Sequence, residues 1–171
     1  YDASFEALAG LKPVTEGGVL TAGNASQITD GAAAVMVCND AGLKNIKTDP
    51  SARIVAISVV GDDPIMMLGG PIPASHKVLK AAGLNIDDID LYEVNEAFAP
   101  VPLSWAIELK ADKEKLNVNG GAMALGHPLG ATGAKLMTTL LHELERRDAK
   151  FGLQAICEGG GTANATIIER I

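Results

Sequence analysis

A glycine-rich turn that opens into a long apolar stripe constrains this chain more than any other feature. Residues 119–135 read Asn-Gly-Gly-Ala-Met-Ala-Leu-Gly-His-Pro-Leu-Gly-Ala-Thr-Gly-Ala-Lys. The stretch holds five of the nineteen glycines and His127, one of three histidines. Gly120, Gly121 and Gly126 permit backbone angles that side chains forbid. Pro128 suits the first turn of a helix, where its missing N–H would be unpaired anyway. Behind it Leu129, Leu136, Met137, Leu140, Leu141 and Leu144 fall at helical spacing. The pattern predicts a helix from Pro128 to about Asp148, buried along that stripe, with His127 at its mouth. The positive end of a helix favours neutral imidazole, the form that accepts a proton. The plain alternative is a satisfied histidine at a loop-to-helix junction.

Strands and helices alternate along the rest of the chain. Residues 53–60 (Arg-Ile-Val-Ala-Ile-Ser-Val-Val) are rich in β-branched side chains and predict a strand. Residues 32–38 form a short apolar run that reads as a buried strand, although its small residues also permit a helix. Cys38 at its end reads as a small core hydrophobe. Strands are further expected at 90–94, 154–157 and 162–169, the last two joined as a hairpin across Glu158-Gly-Gly-Gly161. Helices are expected over 1–10 around Phe5 and Leu8, and over 74–82 with Val78 and Leu79 inward. Gly83 stops the second of these and Leu84 packs back. Residues 40–45 read as a short helix or turn, and a helix made irregular at its start by Pro100 and Pro102 follows. His76 and His142 fall on solvated faces. Residues 12–18 and 62–73 read as loops. Met66, Met67 and Leu68 in the second loop either tuck into the core or line an apolar ligand arm. The alternation predicts an α/β fold, a mixed sheet covered by helices, with no linker dividing it.

Bulk properties narrow the function classes. A net charge of −7 argues against a basic nucleic-acid surface, while a small cationic pocket for a phosphorylated ligand stays compatible. Cys38 and Cys157 are the only cysteines and lie far apart. They make no disulfide framework and point to a reducing, cytoplasmic setting. No apolar run has membrane-spanning length. Tyr1 is not an initiator methionine, so the chain reads as a fragment and an organellar targeting segment ahead of it stays compatible. A nucleotide-loop reading of residues 126–135 fails, because Lys135 does not follow a glycine directly and no Ser or Thr comes after it. The Cys and His residues lack paired metal-ligand spacing, so no metal is expected.

Three polar residues share one topological feature. Asn95 follows a strand, His127 ends a glycine loop, and Cys157 ends a strand two residues before Gly159. Sites in α/β sheets are built at strand ends and the loops beyond them. Imidazole and thiol both titrate near enough to neutrality to exchange protons. An asparagine amide can hold a water or polarise an oxyanion, and a glycine N–H does the same with no side chain in the way. The combination suits carbon–carbon bond chemistry beside a thioester, where an enolate must be stabilised. Asn95 alone also reads as an ordinary helix N-cap, and Ser26 as a local cap.

Asn-Glu-Ala-Phe at 95–98, Gly-Gly-Ala-Met-Ala-Leu-Gly-His-Pro-Leu-Gly-Ala-Thr-Gly at 120–133 and Cys-Glu-Gly-Gly-Gly at 157–161 resemble the C-terminal half of a thiolase. Thr21-Ala-Gly-Asn-Ala-Ser26 and Gly70-Pro-Ile-Pro-Ala74 resemble two further stretches of that family, so the likeness runs over nearly the whole chain in order. The resemblance implies that residues 1–171 form a thiolase C-terminal domain, one half of a five-layered αβαβα fold. It implies an acyl-CoA C-acyltransferase of fatty-acid and lipid metabolism. Such an enzyme cleaves 3-oxoacyl-CoA with free CoA, or condenses two acyl-CoA molecules in the reverse direction. CoA is then a substrate, and no cofactor is implied. His127 would activate a nucleophilic cysteine and help form one oxyanion hole, with Asn95 holding the water that completes it. Cys157 would move the α-proton of the second acyl-CoA, and the Gly159 N–H would serve the second oxyanion hole. Ser26 would contact the CoA pantetheine, with Met67 and Phe98 lining its channel. The implied partners are an N-terminal thiolase half, which carries the nucleophile, and further copies in a homodimer or homotetramer. Cys38 (Val-Met-Val-Cys-Asn-Asp) does not match the nucleophile motif. Glu158 and Thr162-Ala-Asn164 also depart from many relatives, which leaves the acyl-chain preference open. The alternative is a non-catalytic thiolase-like subunit, or an inactive fragment.

Overall fold

The β-branched stretches pair as one four-stranded sheet in a computed structural model that describes residues 3–171. The strands are β1 (Ala52–Gly61), β2 (Leu91–Val94), β3 (Phe151–Cys157) and β4 (Thr162–Arg170), in the order β1-β4-β3-β2. β4 runs antiparallel to β1 and β3, whereas β2 and β3 are parallel. The sheet is therefore mixed, and the hairpin across residues 158–161 is present. A parallel bridge between Tyr92 and Leu116 extends the β2 edge.

Helices cover both faces of the sheet. On one side lie α3 (Pro71–Ala82) and α4 (Pro100–Leu109), and on the other lies α6 (Thr132–Arg147). Period-two alternation divides the strands accordingly. Tyr92, Val94, Leu153, Ala155, Ala163, Ala165 and Ile167 pack with Val78, Trp105 and Leu109. Leu91 and Ile168 face Leu140 and Leu144 of α6. Trp105 is fully buried, donates its indole N–H to Ser75 Oγ at 2.8 Å, and lies 5.3 Å from the ring of Tyr92. Gly152 lets α6 approach, since a Cβ there would meet the Leu140 side chain at 2.9 Å. Gly83 ends α3 in the left-handed region (φ 68°), and the Leu84 N–H closes back on the Leu79 carbonyl at 3.1 Å.

The short helices α1 (Phe5–Ala9) and α2 (Asp40–Leu43) stand where the pattern predicts them, capped by Ser4 and Asn39. The first two residues of the helix expected over 1–10 lie outside the described residues.

Several expectations need correction. Residues 32–38 are not a strand: they pair with no strand among the described residues, and Val35, Met36 and Val37 are exposed. Cys38 is exposed as well, so it is not core. An apolar run becomes a strand only where a ladder receives its N–H and C=O groups, and here none does. The long helix begins at Thr132 rather than Pro128. Pro128 opens a tight turn, its carbonyl accepting from Ala131 N at 2.7 Å and Thr132 N at 2.9 Å. That turn leaves Leu129 64% exposed, outside the buried stripe. The glycine stretch itself holds a one-turn helix, α5 (Ala122–Leu125). α3 starts at Pro71, three residues before the expected boundary, because prolines suit a first helical turn. In the 62–70 loop Leu68 packs on the core, whereas Met66 is exposed.

The apolar side chains of residues 35–37, together with Ile57 and Val59 on one face of β1, form exposed surface of a kind monomers rarely tolerate. The 171-residue chain on its own should therefore self-associate. Size-exclusion chromatography with light scattering measures this. A clean monomer that binds little hydrophobic dye would contradict it.

Candidate active site

The parallel ladder between β2 and β3 runs one residue past β2, with Asn95 N donating to Ala155 O at 3.0 Å. That contact places Asn95 beside the C-terminal end of β3, where Cys157 stands. Asn95 is 1% exposed, and its Nδ2 donates to Cys157 Sγ at 3.7 Å. Asn95 Oδ1 is buried with no hydrogen-bond partner among the described residues. Asn95 is not a helix cap, because α4 begins five residues later. A buried amide oxygen without a partner costs free energy, so it marks a place for a donor such as water or substrate.

Cys157 is buried, and burial pushes its thiol up from the usual range. The Asn95 hydrogen bond opposes that shift, and the neighbouring Glu158 carboxylate adds to it. The chain then turns through Gly159–Gly161, with Gly160 (φ 76°) and Gly161 (φ 81°) in the left-handed region. Gly161 backs onto the 62–70 loop. Its carbonyl accepts from Asp62 N at 2.6 Å, and a Cβ there would meet backbone of residues 62–64 within about 3 Å. A Cβ at Gly159 would meet nothing within 4 Å, so its backbone faces open space. Glu158 is turned aside by its own hairpin, accepting from Thr162 Oγ1 at 3.1 Å and from Asn164 Nδ2. The residues that depart from the family pattern thus form one bonded set.

His127 reaches the site through the strand-like segment 25–28. Its N–H donates to Gln27 O at 2.8 Å, and it bridges in parallel with Ile28. The same segment ties Ser26 to the Asn-Glu-Ala-Phe stretch. Both the N–H and the hydroxyl of Ser26 donate to Ala97 O, at 3.0 and 3.2 Å, and Ala25 bridges Phe98. His127 Nδ1 lies 2.7 Å from Thr132 Oγ1, whose own proton goes to the Pro128 carbonyl at 3.0 Å. A hydroxyl has one proton to give, so when it goes to the Pro128 carbonyl Oγ1 accepts from Nδ1–H. The imidazole therefore keeps a bare Nε2, the form of a general base. Burial lowers its pKa, and the Lys135 charge lowers it further.

The structure thus brings Asn95 and Cys157 into contact and sets Ser26 against the chain beside Phe98. His127 bonds Thr132 and neither of those two. Met67 lies apart, half-buried at φ 55° on the loop that packs against Gly161. A groove of about 450 Å³ between residues 29–33 and 128–131 adjoins the His127 loop.

Sequence reasoning missed three acidic groups. Glu96 is buried and accepts from Asn117 Nδ2 at 2.9 Å and Met123 N at 3.0 Å. It pins the start of the histidine loop to the end of β2. Gly121 is the signal that could have pointed to it, since any Cβ there would lie within 2.5 Å of the carboxyl group. Glu143 on α6 accepts from Asn119 Nδ2 at 2.9 Å and from Arg146 and Arg147, and these bonds hold its pKa down at about 2. Glu93 is 2% exposed on β2, opposite Gln154 of β3 in register, and one oxygen of each lacks a partner among the described residues. Burial raises Glu93 to about 8.

Residues 48–170 match the thiolase C-terminal domain, and residues 1–41 match the thiolase N-terminal domain. The chain belongs to the thiolase family. It is similar to the steroid 3-ketoacyl-CoA thiolase FadA6 of Mycobacterium tuberculosis, with 59% identity over 170 residues, 99% of this chain and 42% of that protein. The crystal structure of the Bacillus anthracis acetyl-CoA acetyltransferase superposes with a TM-score of 0.95 at 45% identity, over 99% of this chain and 43% of that one. Human mitochondrial 3-ketoacyl-CoA thiolase in complex with CoA superposes with a TM-score of 0.92 at 44% identity, over the same shares. The chain spans less than half the length of the relatives it matches.

Glu93 yields a prediction with a definite sign. Its folded pKa near 8 lies above the unfolded value of 4.5, so the native state is favoured below 4.5 and loses that advantage as pH rises toward 8. Glu93→Gln removes the ionisable group, retains its shape and can donate to the orphaned Gln154 oxygen. The variant should match the parent at pH 4 and exceed its stability by roughly 3 kcal/mol at pH 7. Urea unfolding at the two pH values measures the difference, and an equal effect at both would contradict a protonated Glu93.

Proposed function

We propose that this chain supplies the acid–base and oxyanion part of an acyl-CoA C-acyltransferase site, acting on 3-oxoacyl-CoA by thiolysis or running the reverse condensation. The observation that carries the reading is the Asn95–Cys157 contact, with an unpartnered amide oxygen and a thiol held protonated in one buried place. The nucleophilic cysteine would come from the N-terminal domain, only part of which this chain matches. In thiolysis that cysteine attacks the 3-oxo carbon after its proton passes to His127 Nε2. The bond between C2 and C3 then breaks, and the electron pair leaves as the enolate of an acyl-CoA. The Cys157 thiol protonates that enolate, which leaves a thiolate and an acyl-enzyme. Free CoA enters, its thiol proton restores Cys157, its sulfur takes the acyl group from the nucleophile, and the thiolate so released takes its proton back from His127.

Asn95 would hold a water on the first oxyanion and the Gly159 N–H would serve the second. Ser26, Met67 and Phe98 would line the CoA channel. A thiol raised by burial rests as a proton donor, ready for the enolate in thiolysis and for the departing CoA sulfur in the reverse direction. The identity to a steroid thiolase makes a bulky 3-oxoacyl group worth testing beside acetoacetyl-CoA. The exposed Ile65 and Met66, on the loop that packs against Gly161, suit a large apolar acyl group. A homodimer or homotetramer in a reducing cytoplasm completes the proposal, and both cysteines are free.

The 171-residue chain alone should not cleave acetoacetyl-CoA, because Cys157 and His127 have no acyl acceptor beside them. Turnover by material free of any second polypeptide would refute this.

In the intact protein His127→Ala should suppress the covalent acyl-enzyme, whereas Cys157→Ala should spare acylation from a simple thioester and block condensation. Each should cost about 10²–10⁴-fold in kcat. Mass spectrometry of the trapped intermediate separates them, and equal acyl-enzyme in both variants would contradict the division of roles. No turnover with any 3-oxoacyl-CoA in the intact protein would favour a non-catalytic subunit.

A further inference from the structure

We propose that Lys135 is a positioning residue for His127, strapping the histidine loop to the first turn of α6. Its Nζ donates to Leu125 O at 3.2 Å and to Gly126 O at 2.9 Å, the two carbonyls immediately before His127. Those carbonyls close α5 (Ala122–Leu125), whose last groups need donors from outside the helix. Gly126 is in a conformation open mainly to glycine (φ 87°), and a Cβ there would fall 2.5 Å from Thr29 Oγ1. Gly126 thus packs closely on Thr29, and the ammonium ties its carbonyl and that of Leu125 to α6. Thr132, three residues earlier on α6, grips the imidazole itself. One helix turn thus holds the His127 main chain through Lys135 and the ring through Thr132.

The ammonium also acts at a distance. The charged groups on the elements around His127 are Lys135 on α6, Glu93 and Glu96 at the end of β2, Asp30 on the segment bridged to His127, and Glu158 after β3. Glu96 is engaged by Asn117 and Met123, and Glu158 by Thr162 and Asn164. Buried Glu93 is held protonated, so it does not neutralise the ammonium. The Lys135 charge is left to oppose protonation of the imidazole, adding to the effect of burial. Lys135 thereby helps keep the ring proton-accepting near neutral pH.

This inference rests on the proposed role of His127 only for its catalytic consequence, and its test needs no acyl-CoA. Histidine-labelled intact protein is titrated by NMR as wild type and as Lys135→Met, Lys135→Gln and Lys135→Arg. His76 and His142, both exposed, serve as internal references, and His127→Gln assigns the resonance. In Lys135→Met and Lys135→Gln the His127 pKa should rise by about half a unit to one unit, while the references stay fixed. Lys135→Arg, which keeps charge and donors, should restore the wild-type value. If Lys135→Met does not fold, Lys135→Gln carries the comparison, because its amide still donates to one carbonyl. An unchanged His127 pKa in the neutral variants, or an Arg variant that behaves like them, would overturn the proposal. An intact protein that shows the shift but turns over no 3-oxoacyl-CoA would leave the strap standing and sink the functional reading instead.

Discussion

The parallel pairing of β2 with β3 is the interaction on which the candidate site depends. Its last bond, Asn95 N to Ala155 O at 3.0 Å, extends beyond β2 and fixes where Asn95 sits relative to Cys157. A parallel pair needs a long crossover between its strands, and this one contains α4, the histidine loop and α6. The same connection that permits the pairing therefore delivers His127 to the strand ends. Contacts from the flanking segments then tie it down: Gln27 bonds the His127 main chain, Glu96 holds the start of the loop, and Thr132 orients the ring.

Close approach is the second constraint, and glycine supplies it where a β-carbon would intrude. At Gly121 a side chain would occupy the Glu96 carboxyl group, at Gly152 it would push α6 off the sheet, and at Gly161 it would strike the 62–64 backbone. Each contact joins a different pair of elements. Two of them, at Gly121 and Gly161, set loops beside the ends of β2 and β3, and the third seats α6 on the sheet.

Much of this was legible in the sequence, and the parts that were not have physical reasons. β1, β2 and the closing hairpin stood out because β-branched runs and a triple glycine are local signals. Asn95, His127 and Cys157 stood out because each ends a predicted element. Glu93 did not. In Leu-Tyr-Glu-Val its charge reads as an outward position, but α6 covers that face and buries it. Lys135 entered the sequence reading only through the nucleotide loop it fails to make, since nothing local reveals that its ammonium reaches back nine and ten residues. Residues 32–38 misled for the opposite reason: their composition is that of a strand, but a strand is a property of a pair. Residues 1–41 match the thiolase N-terminal domain rather than the C-terminal one, so the sheet described here is not where a partner for that run should be sought. Pro128 misled more narrowly, because proline suits a tight turn as well as a first helical turn, and the glycine two residues later favours the turn.

The acid–base poise of the site follows from burial acting on two groups of opposite charge type. Desolvation disfavours whichever form is charged. It therefore lowers His127, whose charged form is the protonated one, and raises Cys157, whose charged form is the thiolate. The ordinary imidazole and thiol ranges are thereby driven apart rather than together. Between them lies a span of pH in which the histidine accepts a proton and the cysteine offers one, with neither carrying charge. Local groups refine this shared effect in characteristic ways: Lys135 widens the gap from the histidine side, Glu158 widens it from the cysteine side, and the Asn95 hydrogen bond narrows it. The proposed chemistry takes a proton from one sulfur and gives a proton to a carbanion, and it needs both groups ready in the same resting state. Burial at one edge of a sheet provides that state without any fixed counter-charge, and so leaves room for the charge that develops on the substrate.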